Sequence, residues 1–177
     1  MLTTTRPGLD QITSAIRAEA RPGRGARDTA LAVADLLRRR APALDLLTDD
    51  ELGGDGGDFA RHVLHAEPTF SVVAVVWRPG QRTPIHDHVA WCSFVVLQGV
   101  EYETLYRDHG DHLGEIGRVA NRVGDASGFA PPGDIHRVHN TGDITAVSLH
   151  VYGADLGTDP SSVRRTYDLP GPLTSRR

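Results

Sequence analysis

The segment 70–77, FSVVAVVW, constrains the fold of this chain more than any other stretch. Four of its eight residues are valine, and β-branched residues favour the extended backbone of a strand. The segment is apolar at both odd and even positions, and strand side chains alternate between the two faces of a sheet. A strand that is apolar on both faces needs cover on both sides. We therefore predict a central strand here.

Further strand-like segments follow at close intervals. Gln98-Gly99 is the predicted turn between the first two, and aromatic residues alternate with polar ones in the second. The predicted strands cover residues 93–97, 101–107, 118–123 and 145–152. With 19 glycines and 11 prolines in the chain, this spacing predicts a mainly β fold, an antiparallel barrel with short turns.

Two helices are predicted ahead of the strands. Residues 9–20 carry apolar side chains at helical spacing, and Arg21-Pro22-Gly23 ends the pattern. Residues 28–40 repeat the pattern, and three arginines in the last turn suit the negative end of a helix dipole. The glycine-rich segment 53–57 predicts a flexible joint between the helices and the strands.

Composition argues against several classes of partner. The net charge is −4 and the sequence pI is near 6.1, so neither nucleic acid nor an anionic membrane is an expected partner. One cysteine cannot form an internal disulfide, and the first residues lack the apolar run of a signal peptide. We expect a cytoplasmic protein, and the sequence does not indicate an oligomeric state.

Three histidines form the candidate metal site. His86 and His88 are one residue apart in strand-like sequence, so both point to the same face. A pair of this kind is also compatible with histidines in a surface turn. A third histidine comes later, at His136 or at its rival His139, whose odd separation from His136 places it on the opposite face. Three neutral nitrogen ligands suit a divalent first-row metal and leave coordination positions open, whereas closed structural sites use four ligands.

The residues around these histidines resemble the two motifs of the cupins. The first motif is matched by Gly80, His86, His88 and Gly99, with Cys92 at the usual glutamate position. The second is matched by Gly124, Pro131, Gly133, His136 and Asn140, with one extra residue before the proline. The resemblance implies a jelly-roll β-barrel with His136 as the third ligand. It covers residues 59–168. With 177 residues the chain is long enough for one domain and too short for two comfortable ones, so we expect a single domain over 1–177 with a helical part at 1–52.

A cupin without the glutamate ligand resembles the thiol dioxygenases, of which cysteine dioxygenase is the best-known member. This resemblance implies Fe(II) as cofactor, O₂ as co-substrate, and L-cysteine as the thiol converted to cysteine sulfinic acid. Ser148, His150 and Tyr152 lie on one face of a strand and are similar to the hydrogen-bonded relay of that family. Asp87 is expected to brace the histidine strand rather than bind metal.

The resemblance also assigns the substrate-binding residues. Arg61, after an aromatic residue, is similar to the arginine that binds the substrate carboxylate in cysteine dioxygenases, and Arg164 is similar to a carboxylate-binding arginine of the bacterial mercaptopropionate enzymes. A guanidinium offers a planar fork to two carboxylate oxygens. Cys92 is similar to a cysteine that forms a thioether with the relay tyrosine, here Tyr152. A buried free thiol is the alternative.

Three other functions remain open from the sequence. The first is a dioxygenase for 3-mercaptopropionate or another mercapto acid. The second is a cupin enzyme that uses another metal, such as Zn²⁺, Mn²⁺ or Ni²⁺, and the third is a non-catalytic cupin that binds a ligand. Histidine ligands alone do not select one metal.

Overall fold

The computed structural model describes residues 5–53, 59–159 and 161–168. The helical part consists of α1 (Leu9–Glu19), α2 (Ala26–Arg40), a 3₁₀ turn (Leu44–Leu46) and α3 (Asp49–Gly53). The strands are β1 (Ala60–Glu67), β2 (Phe70–Trp77), β3 (Ile85–His88), β4 (Cys92–Gln98), β5 (Val100–Asp108), β6 (Leu113–Arg122), β7 (Ala126–Phe129), β8 (His136–His139), β9 (Ala146–Tyr152) and β10 (Val163–Tyr167).

The ten strands form two antiparallel sheets of five. The first sheet has the order β1-β2-β9-β4-β7, and the second has the order β10-β3-β8-β5-β6. This arrangement confirms the mainly β, cupin-like fold. Within the described ranges no strand pairing joins the two sheets, so the jelly-roll is a pair of facing sheets and not a closed barrel.

The turn at Gln98-Gly99 leads from the first sheet to the second. Gly99 has a φ of 72°, a left-handed conformation that suits glycine, and a Cβ there would lie 2.9 Å from the Ala146 Cα. The chain turns here from β4 of the first sheet into β5 of the second, so the two strands are not a hairpin.

Strand β2 is central, as predicted. It lies between β1 and β9, and all eight of its residues are buried. Val72, Ala74 and Val76 pack in one cluster with the apolar residues of α1 and α2, and the alternate residues pack in a second cluster inside the fold. The helices on one side and the second sheet on the other therefore account for its two apolar faces.

The two predicted helices are present with small shifts in their ends. Helix α2 begins at Ala26, two residues before the predicted start, and lies directly against the first sheet. Ser93 Oγ donates a hydrogen bond of 2.7 Å to the Ala30 carbonyl. A Cβ on Gly128 would lie 2.3 Å from the same oxygen, so the backbone of β7 can approach the helix only because residue 128 is glycine.

The predicted joint at 53–57 lies outside the described residues beyond Gly53, which ends α3. Within the described ranges, none of the helices is long and apolar enough to span a bilayer.

Candidate active site between the two sheets

The three candidate ligands come together on the inner face of the second sheet. Strands β3 and β8 are neighbours, with His86 directly opposite His136, and His88 follows on the same face of β3. One ring nitrogen from each histidine lies within 4.8 Å of the other two. All three side chains are buried. His139 lies on the opposite face of β8 and stacks on Tyr102, with ring centroids 5.8 Å apart.

Carboxylates bind two of the rings at Nδ1, the ring nitrogen that points away from the centre of the three-histidine cluster. Glu103 Oε1 lies 2.5 Å from His136 Nδ1, and Asp134 Oδ2 lies 3.1 Å from His88 Nδ1. An ionised carboxylate can only accept, so each Nδ1 carries the hydrogen, and in the neutral ring Nε2 then keeps its lone pair. His136 Nε2 is buried without a hydrogen-bond partner among the described residues. A metal ion would supply that partner, and this second set of contacts is typical of metal-binding histidines.

The third ring, that of His86, is oriented by the backbone. Its Nδ1 lies 3.1 Å from the Pro84 carbonyl oxygen, which again leaves Nε2 for the interior. Burial, followed by the nearby His136 and His88, lowers the pKa of His86 to about 3. Burial also lowers the pKa of His88, although Asp134 opposes this effect. These two rings are therefore neutral at pH 7, the state in which imidazole binds metal.

The candidate metal-binding group contains no carboxylate among the described residues. Glu103 and Asp134 bind the outer nitrogens of the histidines instead of lying with the inner nitrogens. Burial raises the pKa of Glu103, but the hydrogen bond and the charge interaction with His136, together with the Asn121 hydrogen bond and the charge of His150, lower it overall. Glu103 therefore stays ionised beside His136, and three neutral nitrogens fit a divalent first-row metal that keeps positions open for other ligands.

A cavity of about 90 Å³ opens beside these histidines. It lies between the sheets, and its apolar walls include Phe59, Val75, Trp77 and Val138. The Phe59 and Trp77 rings stack with centroids 4.4 Å apart. The cavity is small, so this space suits a molecule of a few heavy atoms.

Arg61 lines this cavity from β1. It lies opposite Val75 of β2, and its Nη2 atom is buried without a hydrogen-bond partner among the described residues. An unpaired buried donor is costly, and a carboxylate in the cavity would satisfy it.

Arg164 lies elsewhere, so the structure does not bring the two predicted arginines together. Its guanidinium bonds Asp87 Oδ2, and the side chain is 43% exposed. The same oxygen accepts bonds from Arg165 at 2.9 Å and from the Tyr167 hydroxyl at 2.8 Å. Burial raises the pKa of Asp87, but these donors lower it overall. Asp87 thus ties β3 to β10 and points away from the three-histidine cluster.

Ser148, His150 and Tyr152 form one hydrogen-bonded chain along β9. Ser148 Oγ lies 2.9 Å from His150 Nε2, and the Tyr152 hydroxyl lies 3.3 Å from His150 Nδ1. His150 and Tyr152 both line the cavity. Burial raises the pKa of Tyr152 well above its usual range, with Cys92 as the next cause, so the phenol keeps its proton.

The hydrogen-bonded chain continues to Glu101, a residue that the sequence patterns did not single out. Glu101 is 2% exposed, and Ser148 Oγ donates to its Oε2 at 2.5 Å. The single hydroxyl hydrogen of Ser148 is thereby used, so His150 Nε2 must carry a hydrogen and donate to Ser148. His150 Nδ1 then accepts from the Tyr152 hydroxyl. The carboxylate fixes the direction of every hydrogen bond in the chain.

A signal for these carboxylates exists in the sequence. Glu101 and Glu103 are two residues apart on β5, so they point to the same face. That face is the interior, and the alternate residues Tyr102 and Thr104 point outward. Asp134 carries no comparable periodic signal.

Cys92 lies directly opposite Tyr152 in the pairing of β4 with β9. Its thiol is free and buried, and Sγ lies 3.9 Å from His150 Nδ1. Burial raises the pKa of this thiol, and the charges of Glu103 and Glu101 raise it further. The thiol is therefore protonated at neutral pH.

Comparison with known proteins gives one family and several structures. The family model for cysteine dioxygenase type I matches residues 55–164. Oxalate decarboxylase of Bacillus subtilis is 19% identical with a TM-score of 0.47, over 57% of this chain and 27% of that one. An RmlC-like cupin protein of Desulfovibrio desulfuricans is 20% identical with a TM-score of 0.43, over 56% and 87%. The DMSP lyase DddQ of Ruegeria pomeroyi is 24% identical with a TM-score of 0.44, over 56% and 48%.

Proposed function

The chain belongs to the cysteine dioxygenase type I family, and on this premise we propose that it is an Fe(II)-dependent thiol dioxygenase acting on L-cysteine. Both atoms of O₂ would enter the thiol to give cysteine sulfinic acid. One observation carries this proposal: three buried histidines, joined by no carboxylate among the described residues, lie beside a small cavity that is also lined by Arg61 and Tyr152. We place the protein in the reducing cytoplasm, where both a thiol substrate and Cys92 stay reduced.

His86, His88 and His136 would hold the metal through their Nε2 atoms. When bound, a divalent iron would activate O₂ and lower the pKa of the substrate thiol. The chain's own contribution is to present three neutral nitrogens at fixed positions, since each ring is held by a partner on its Nδ1 atom.

Arg61 would bind the substrate carboxylate. Its unpartnered Nη2 atom supports this role, because a carboxylate accepts from a guanidinium through two oxygens. With one end of the substrate fixed, the sulfur is held at a defined place next to the histidines, which lowers the entropic cost of the reaction. Arg164 is less suited to this role because its charge already pairs with Asp87.

Tyr152 would control protons at the reacting atoms. As its hydroxyl hydrogen points to His150, its oxygen lone pairs can accept a proton from the thiol in the cavity. Once the hydrogen-bonded chain holds the proton from the thiol, His150 Nδ1 carries a hydrogen and donates it to the Tyr152 oxygen. The phenol hydrogen is then free to donate to the reacting oxygen. Ser148 and Glu101 keep the ring of His150 in the orientation that permits this reversal.

A second candidate substrate is 3-mercaptopropionate, and one observation favours it. No acidic side chain is among the described residues that line the cavity. The ammonium group of cysteine would therefore find no carboxylate partner there and would need to lose its proton to bind the metal. A mercapto acid has no ammonium group and avoids that cost.

Aerobic incubation of the iron-loaded protein with three thiols tests the proposal. L-Cysteine carries both the carboxylate and the amine, 3-mercaptopropionate lacks the amine, and cysteamine lacks the carboxylate. We expect sulfinate and O₂ uptake with the first two and little with cysteamine, and Arg61→Gln should remove that preference for acids. Faster turnover of 3-mercaptopropionate than of L-cysteine would identify 3-mercaptopropionate as the substrate instead.

Controls separate the remaining functions. Sulfinate formed from none of the thiols would contradict the dioxygenase proposal. Activity on another substrate without O₂, with zinc, manganese or nickel bound, would instead favour a different cupin enzyme. Ligand binding without turnover would favour a non-catalytic cupin.

A further inference from the structure

The outer face of the second sheet carries a cluster of basic side chains that the proposed reaction does not use. Arg137 of β8 lies opposite Thr104 of β5, and Thr104 lies opposite Arg118 of β6. His139 follows Arg137 on the same face, and Arg82 is bridged to His139. These side chains line an outer cleft of about 300 Å³, which we define by Arg82, Arg118, Arg137 and His139.

The charges of the outer cleft are not balanced. Glu115 is the acidic residue among the described lining residues, and it pairs with Arg118 at 2.8 Å and 3.0 Å. Neither Arg82 nor Arg137 has an ion-pair partner among the residues that the structure describes. Two guanidiniums thus face a shared cleft without a counter-charge from the protein, and their positive potential favours an anion there.

Two polar atoms of the residues that line the cleft lack partners among the described residues as well. Arg137 Nε and His139 Nδ1 are buried without a hydrogen bond within the described ranges. Burial, followed by the charges of Arg137, Arg118 and Arg82, lowers the pKa of His139, so its ring is neutral at pH 7. The cleft therefore combines fixed positive charge with unsatisfied hydrogen-bonding groups, and both are features of a site for an oxyanion.

We propose that the outer cleft binds a phosphate group, either as inorganic phosphate or as part of a small phosphate ester. Phosphate carries more charge than a monocarboxylate and has several acceptor oxygens for guanidinium donors. The net charge of the chain is −4, so its overall field repels anions and saturable binding would require a local site. The outer cleft is on the face of β8 opposite His136, so this site is separate from the cavity between the sheets.

Calorimetric titration of the iron-loaded protein with inorganic phosphate tests the site. Ionic strength is held at 0.15 M with chloride, and a second titration uses glycerol 3-phosphate to separate the free anion from an ester. We expect saturable binding of at least one of them, weakened about tenfold or more by Arg137→Gln and by Arg82→Gln, in keeping with the strength of charge-assisted hydrogen bonds.

Arg122→Gln is the matched control, because Arg122 is an exposed arginine on β6 that does not line the outer cleft. This variant should bind as the unchanged protein does. Absence of saturable binding for both ligands would overturn the proposal, as would equal weakening by Arg122→Gln. Arg82 is exposed and its replacement leaves the core intact. Phosphate binding by Arg82→Gln therefore tests the proposal even if Arg137→Gln does not fold, and unchanged binding would contradict it.

Discussion

The two sheets have the same number of strands but differ in what covers them. In the first sheet, every residue of β2 and β9 is buried, because helices cover one face and the second sheet covers the other. The second sheet has one face open to solvent, and its edge strand β6 is largely exposed.

This difference corresponds to a division of chemical roles at the site. The second sheet holds charged groups on its inner face, with Glu103 bound to His136. The first sheet contributes mainly neutral groups, and its Ser148, His150 and Tyr152 satisfy one another in a chain. Along the covered strand β9 the polar side chains are paired, whereas charge is placed at the edge strand β1, as Arg61, and on the outer face of the open sheet.

Removing a ligand from the second sheet tests this division most severely. In His136→Ala, we expect bound iron to be lost and sulfinate formation to fall at least about a thousandfold, or about 4 kcal/mol of transition-state stabilisation. His139→Ala, on the outer face of the same strand, should keep both the metal and the activity. Metal analysis and turnover measure the difference, and iron retained in His136→Ala would contradict the ligand assignment.

The next test removes the charge behind that ligand. Glu103→Gln leaves His136 with a weaker acceptor, so iron affinity should fall about 10–100-fold, the range typical of such outer contacts. Competition with a chelator measures the change. Glu115→Gln, a carboxylate on the outer face of the same sheet, should leave iron affinity unchanged, and equal losses would point to overall charge as the cause.

The hydrogen bond between Glu101 and Ser148 joins the two sheets, and its loss should affect proton control without affecting metal binding. We expect Glu101→Gln to lower kcat roughly tenfold, with a smaller change in KM and a shifted pH–rate profile, because the relay loses its terminal charge. Ser148→Ala should act in the same direction. A change in iron content, or an unchanged pH profile, would contradict a positioning role for Glu101.

A covalent link within the first sheet would sharpen the contrast further. If Cys92 and the Tyr152 ring join, the thiol and one ring carbon each lose a hydrogen, and the two electrons and two protons pass to O₂. Intact mass after aerobic turnover should then decrease by about 2 Da, and Cys92→Ser should abolish the decrease. An unchanged mass would identify Cys92 as a buried free thiol.

The smallest expected effect concerns the helical part that covers the first sheet. Arg6 bonds Glu51 at 2.7 Å, and this bond, against the opposing effect of burial, lowers the pKa of Glu51 to about 2. The unfolded carboxyl has the higher pKa, so the stabilisation is present above about pH 4.5 and is lost as pH falls towards 2.

In Glu51→Gln, the free energy of unfolding at pH 7 should fall by about 1 kcal/mol, and the deficit should shrink in acid. Denaturant unfolding at pH 7 and pH 3 measures both values. Asp50→Asn is the control, since Asp50 is an exposed carboxylate of the same helix. A deficit that does not depend on pH would assign the loss to packing.

Sequence patterns identified the covered sheet better than the open one. Strand β2 has the predicted bounds, because an apolar run with two buried faces has few alternatives. Strand β6 begins at Leu113, five residues before the predicted start at 118, because an exposed edge strand has no strict apolar alternation. Its pairing with β5 decides its length.

The missed site residues have a similar explanation. Glu101 and Glu103 are residue types that are usually exposed, so although their spacing puts them on one face, it takes the pairing of β5 with β8 to show that this face is the inner one. The position of Arg164 depends on the pairing of β10 with β3, two strands about 75 residues apart, which periodicity does not encode. The histidines were found together because motif spacing, rather than burial, identified them.

The glycine at position 128 has a consequence for how the protein can vary. Because Gly128 of β7 packs closely against the carbonyl oxygen of Ala30, helix α2 sets the distance between β7 and the helix layer. The next residue, Phe129, places its ring 5.2 Å from the ring of His136 and 5.1 Å from that of His88. A shift of helix α2 would thus displace Phe129 and change the packing around two candidate metal ligands, without a change in any residue that lines the cavity.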